Sequence, residues 1–182
     1  MDKVTLTQIE RYFLSNQLRI LEALYPEEAA SLSIKREAIE NGYELLYGWD
    51  MDHIYSGASV MTTAECDEVL ETLAMFDAID RAVRDAGDFE NKVFAKFCGY
   101  DGNNESKFKA FAEFNMKKLE RFSYLPLQKD NYWNSHMPMR HVYQRMLAEW
   151  HKVGEASRYA LSRENIAAIL SAAKFPENVK LP

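Results

Sequence analysis

Thirteen residues, Met139 to His151 (Met-Arg-His-Val-Tyr-Gln-Arg-Met-Leu-Ala-Glu-Trp-His), hold two arginines and two of the chain's four histidines. Arg145 and His151 have the types and separation for metal-independent phosphodiester chemistry. The imidazole would move a proton at a ribose 2′-OH or a leaving oxygen, and the guanidinium would stabilise phosphate charge. Six helical steps of ~100° put the two side chains about 120° apart, so one regular helix does not aim both into one cleft. A second subunit would have to complete such a site.

The same window carries an apolar stripe, Met139, Val142, Tyr143, Met146, Leu147, Trp150 and Val153, at helical spacing. Arg140, Gln144 and His151 fall on one flank of that stripe, and His141, Arg145 and Lys152 on the other. With Trp133 from the aromatic connector before the helix, Arg140, Gln144, His141 and Lys152 are the candidate ligand- or partner-binding residues. No two of His53, His136, His141 and His151 stand four apart with a carboxylate nearby, so no metal site is expected. No GxSxG elbow or glycine-rich phosphate loop is present, and no cofactor is expected.

Stepping outward, 182 residues at 47% hydrophobic and 27% charged suit one folded domain, placed at residues 1–175 with a flexible tail at 176–182. Cys66 and Cys98 lie far apart with no CxxC partner, which suits reduced thiols in a cytoplasmic protein. The N-terminus lacks the apolar run of a secretory signal, and no window approaches the ~18 apolar residues of a membrane span. The net charge of −6 conceals a split. Residues 1–104 hold 9 Lys+Arg against 20 Asp+Glu, a balance of −11, and residues 105–152 hold 9 against 5, a balance of +4. The basic half is either ordinary alternation of helix surfaces or a face for an acidic or phosphate-bearing partner.

The elements read as helices. Thr5 with Gln8, or Thr7 with Glu10, opens the first as a capping box, and Ile9, Phe13, Ile20, Leu21 and Leu24 give it an apolar face. A second runs from Pro26 to a left-handed cap at Asn41-Gly42. Thr62 with Glu65 opens a third, carrying Val69, Leu70, Leu73, Phe76, Ile79 and Val83, with Gly87 as its stop. Val93 to Tyr100 suits a buried helical turn or a short strand, and the helical reading is preferred. Asn103 or Asn104 caps a helix to about Tyr124 with Phe108, Phe111, Ala112, Asn115, Leu119 and Phe122 inward. The next starts at Pro138, and Ser162 caps the last, with Ile166, Ile169 and Leu170 inward. The expected fold is therefore all-α, a single compact domain of about six helices with one irregular or strand-like segment near 93–100.

Several local words occur in a fixed order: Leu14-Ser15-Asn16-Gln17, Glu40-Asn41-Gly42-Tyr43, Gly99-Tyr100-Asp101, Tyr143-Gln144-Arg145-Met146-Leu147, Trp150-His151 and Leu161-Ser162. Together they resemble the YfbU family along nearly the whole chain, with extra length around Trp49 to Val60 and at the C-terminus. The resemblance implies a small, mostly helical, cytoplasmic bacterial domain and carries no catalytic residue onto this chain. The spacing of Arg145 and His151 separately resembles the R-x(4 to 6)-H motif of HEPN-type ribonucleases, which are also all-helical, although Met146 stands where that motif usually has a polar residue.

Two functional readings follow. The first is an interaction module that self-associates as a homodimer or other homo-oligomer, because 10 Phe, 10 Tyr and 3 Trp are a heavy aromatic load for one core. It admits a protein partner and no membrane. The alternative is a HEPN-like ribonuclease with RNA as its partner. If the alternative holds, His151→Ala abolishes RNA cleavage in metal-free buffer; equal rates for the variant and the wild type eliminate a catalytic histidine.

Overall fold

A computed structural model describes residues 4–49, 51, 53–86, 90–122, 125 and 133–174. Its contacts group the chain into two units, Met1–Val60 and Met61–Pro182. In the first unit, α1 (Gln8–Leu24) starts at a complete capping box: the Thr7 hydroxyl accepts from the Glu10 amide, and the Glu10 carboxylate accepts from the Thr7 amide at 2.7 Å. Helix α2 (Ala29–Asn41) ends where Gly42 turns left-handed at φ 74°, which lets the Tyr43 amide reach back to the Ala38 carbonyl at 2.9 Å.

α1 and α2 are joined by ions more than by a large core. Glu40 accepts from the Ser15 hydroxyl at 2.6 Å and pairs with Arg19 and Arg36, and Arg36 also reaches Glu22 at 2.8 Å. The Ser15 hydroxyl, then the two guanidiniums, hold the Glu40 carboxyl below its ordinary range. Four of the five residues of the expected apolar face of α1 point the other way. Ile9, Phe13, Ile20 and Leu24 are 61–69% exposed, while Leu14, Leu18 and Leu21 are half-buried on the opposite side of the helix. The helix has two apolar stripes, and the one facing α2 is the stripe that also carries Ser15, Arg11 and Glu22, the groups α2 bonds.

The second unit is built on α3 (Thr63–Ala86), opened by the Thr62–Glu65 capping box. Val69, Leu73, Phe76 and Ile79 from α3 are buried against Phe108 and Ala112 of α4 (Ser106–Glu113) and against Val142, Tyr143, Met146 and Trp150 of α5 (Arg140–Trp150). A one-turn α6 (Glu155–Arg158) leads to α7 (Arg163–Ser171), where the Ser162 hydroxyl caps the helix and Ile166, Ile169 and Leu170 go inward as expected. The fold is all-α: among the described residues the β-type pairing is one parallel bridge, Tyr100 with Asn134. No helix among them is long and apolar enough to cross a membrane.

That bridge corrects the helical reading of Val93 to Tyr100. Only Lys92–Ala95 makes a 3₁₀ turn, after which Tyr100 exchanges backbone bonds with Trp133 and Ser135 at 3.1 and 3.2 Å. Gly99 sits at φ 86°, and a Cβ there would overlap the Trp133 carbonyl, so close passage of the two strands requires glycine. The next correction concerns α4. Neither Asn103 nor Asn104 caps it; both bond the Asp101 carboxylate in a preceding turn, and the helix starts after Glu105. It then widens into a π-turn, Phe114–Lys118, where the buried Asn115 amide takes the Phe111 carbonyl at 2.9 Å, so Leu119 ends up half exposed. The proposed stop at Gly87, the end near Tyr124 and the tail at 176–182 lie outside the described residues.

Glu105 ties these pieces together. Its carboxylate, in a residue only 7% exposed, accepts from the amides of Asp101 (3.0 Å), Met139 (3.0 Å) and Arg140 (2.8 Å). Two of these are otherwise unsatisfied donors at the start of α5, and the negative charge suits a helix N-terminus. Glu105→Ala therefore leaves three amides without their acceptor and should lower the free energy of unfolding by about 2–4 kcal/mol. Urea denaturation measures this loss; an effect within about 0.5 kcal/mol, the range of an ordinary surface change, contradicts the assignment.

Candidate functional site

Because Glu105 fixes where α5 begins, it fixes where the polar flanks of α5 point. The first flank lies against α3, as the spacing of Arg140, Gln144 and His151 requires. Arg140 makes a two-pronged pair with Glu68, at 2.7 and 2.9 Å, and its guanidinium lies 4.3 Å from the centre of the Phe108 ring. Gln144 donates to the same carboxylate at 3.2 Å. The Glu68 hydrogen bonds raise the Arg140 pKa further above its ordinary value, so this cation is fixed. His151 meets Glu71 through Nε2, and Glu68 and Glu71 are three apart on α3, hence on one face.

The second flank lies against the end of α7. Arg145 donates from Nε to the Ala172 carbonyl at 3.0 Å, from one Nη to Ala173 at 2.8 Å and from the other to His141 at 3.1 Å. The Ala172 and Ala173 carbonyls lie just beyond the C-terminus of α7, where a cation also meets the negative end of the helix dipole. Lys152 pairs with Glu149 within its own turn at 2.7 Å. Trp133 is 2% exposed, with the Lys117 ammonium 5.3 Å from its ring centre and its carbonyl bonded to the Tyr100 amide. It is a core residue and offers no surface to a partner.

The structure thus brings Arg140, Gln144 and His151 together and separates them from His141 and Arg145, so Arg145 and His151 do not converge within one chain. Several of the basic residues of 105–152 are paired. Lys107 pairs with Glu65, Lys109 and Lys117 with Glu113, and Arg140 with Glu68. The acceptors were the residues sequence reading missed, since Glu65, Glu68 and Glu71 sit on a helix about 40 to 80 positions away in the chain.

Beside the His151–Glu71 contact lies a cleft of about 510 Å³ lined by Glu71, Asp77, Arg81, Trp150, Arg158 and Tyr159, among others. Arg158 stacks 4.9 Å from the Trp150 ring centre and bonds the Val153 carbonyl at 3.1 Å. Both carboxylates and guanidiniums line this cleft, and no cluster of three or more His, Cys, Asp or Glu suited to a metal occurs among the described residues.

The other feature without an internal role is the outer stripe of α1. Ile9, Phe13, Ile20 and Leu24 fall within roughly 60° of arc at ~100° per residue and run along about 22 Å of helix. Tyr12, 66% exposed, extends the stripe and packs edge-on against Phe13 at 6.2 Å. Four large aliphatic or aromatic side chains thus share one solvent face instead of being scattered singly. Nothing in the spacing distinguished this stripe from a core face, because both follow the same period.

The anchoring role of Arg145 makes a prediction. Arg145→Met removes the donors to Ala172 and Ala173 and should cost about 1–3 kcal/mol of stability, lowering the protection of α7 amides from hydrogen exchange before that of α3. Unchanged protection of α7 overturns the assignment.

Comparison with known proteins agrees with this architecture. The YfbU domain family matches residues 4–172. The UPF0304 protein MJECS11 of Methanocaldococcus jannaschii is 30% identical over 173 residues, covering 92% of this chain and 99% of that protein. The matched span takes in α1 through α7 and every ordered word from Leu14-Ser15-Asn16-Gln17 to Leu161-Ser162, and the chain belongs to the YfbU family.

Proposed function

We propose that this protein is an interaction module that self-associates through the outer stripe of α1. The observation that carries this reading is the exposure of Ile9, Phe13, Ile20 and Leu24 at 61–69% on one helical face. Polar side chains border the stripe: Arg19, 62% exposed and ion-paired with Glu40, on one side and Gln17 on the other. An apolar centre with a polar rim is the anatomy of a protein interface.

The polar flanks of α5 support the same reading by elimination of chemistry. Arg140, Arg145 and His151 each hold another element in place, which suits a scaffold. Metal-independent RNA cleavage would need Arg145 to leave the carbonyls of Ala172, Ala173 and His141. The free thiols of Cys66 and Cys98 suit the cytoplasm, where disulfides are rare.

Static light scattering at micromolar concentration should give a multiple of the 21.1 kDa chain mass. Ile20→Glu should return the chain mass with its circular dichroism unchanged, because Ile20 is 61% exposed and supports no core. A wild-type monomer, or an Ile20→Glu variant still assembled, refutes the proposal.

A further inference from the structure

Resting on that reading, we infer that the second copy docks on α1 antiparallel, about a two-fold axis passing between Asn16 and Gln17. The stripe is palindromic. Ile9 and Leu24 are equidistant from the midpoint of the Asn16–Gln17 bond, and so are Phe13 and Ile20. In an antiparallel pair Ile9 faces Leu24 of the second copy, and Phe13 faces Ile20 of the second copy. Both contacts repeat by symmetry, as an isologous interface requires.

The two polar residues that edge the stripe at its middle, Asn16 and Gln17, fall at the crossing point. Asn16 of one copy lies level with Gln17 of the other there, and side-chain amides carry both donor and acceptor, so the two satisfy each other. A buried amide pair at one position is also a known means of fixing register between helices. On the rim, Tyr12 and Arg19 lie on the same edge of α1, about two helical turns apart. Antiparallel docking sets Arg19 of one copy about 3 Å along the axis from Tyr12 of the other, within reach of a cation over a ring.

The exposed area fits two copies. Five large side chains about two-thirds exposed offer on the order of 500 Å² per chain, hence about 1,000 Å² for the pair, the lower end of a specific interface. A parallel pairing in the same register would place Phe13 on Phe13 and Ile20 on Ile20. It would stack the aromatic rings at one level and leave Ile9 without Leu24.

Charge substitution separates the two arrangements in the full chain. Phe13→Glu alone and Ile20→Lys alone should each raise the dimer dissociation constant on the order of 100-fold, by placing an unpaired charge in the apolar centre. The double variant Phe13→Glu/Ile20→Lys should recover to within about tenfold of wild type, because antiparallel docking sets opposite charges face to face twice. Sedimentation velocity measures all three, with circular dichroism as the check on folding. Two weakened singles with a monomeric double overturn the antiparallel register while leaving the α1 interface standing. Singles that assemble like wild type, or a monomeric wild type, overturn the interface itself.

Discussion

A buried carboxylate governs the larger unit. Glu105 receives the amides of Asp101, Met139 and Arg140, and so joins the turn before α4 to the first turn of α5. Pro138 lacks an amide to donate at this entry, and Met139 and Arg140 supply the donors that the carboxylate accepts. The Asp101 amide adds a third bond, and the Glu105 amide returns one to the Asp101 carbonyl at 2.8 Å. A helix start held from two directions has one rotational setting. From that setting follow Arg140 and Gln144 on Glu68, His151 on Glu71, and Arg145 on the end of α7.

The charged residues of the basic half consequently act as fasteners. Arg140 is the clearest case, because its guanidinium is bidentate on a carboxylate and stacked on Phe108, with little freedom left for a ligand. Lys107 does the same between α4 and α3 through Glu65, and these hydrogen bonds, Lys107 first, hold the Glu65 carboxyl below its ordinary range. Among the described residues, Lys107 and Arg140 of this half, whose local balance is +4, turn onto carboxylates of the acidic α3. Charge summed along sequence and charge displayed on a surface are different quantities, and here long-range pairing separates them.

Much of the local structure was legible from sequence because its determinants are local. Thr7 with Glu10, Thr62 with Glu65, Ser162 with Asn165 and Gly42 after Asn41 fix helix ends within four residues, and each does so in the structure. The α5 stripe was legible for the same reason, one unbroken period from Val142 to Trp150. What escaped depended on distant partners. Glu105 carries no local signal of its role until Met139 and Arg140 are brought to it, and the burial of Trp133, by sequence a candidate partner-binding residue, depends on Gly99 letting its backbone pass. The π-turn at Asn115 escaped because one side-chain amide there competes for a carbonyl that the period assumes is taken. On α1 the failure was different in kind, since two stripes satisfy one period and only the ion pairs to Glu40 and Arg36 decide which turns inward.

That last choice has an energetic reading. Burying Ile9, Phe13, Ile20 and Leu24 against α2 would gain more apolar burial than Leu14, Leu18 and Leu21 do, since it removes an aromatic ring as well as aliphatic surface from water. It would also strand Ser15, Arg11 and Glu22 away from the α2 groups they bond, and a charge network broken on one side costs more than it contributes when intact. The first unit buries only a few large apolar side chains, Leu32, Ile39 and Tyr47 among them, and leaves its richest stripe outside. The α1 helix thus directs bonded polar groups toward α2 and leaves Ile9 and Ile20 on a face that α2 does not cover. The symmetric spacing of that stripe about Asn16 and Gln17 is the feature the proposed antiparallel pairing uses, since each apolar position then meets one equally far from the axis.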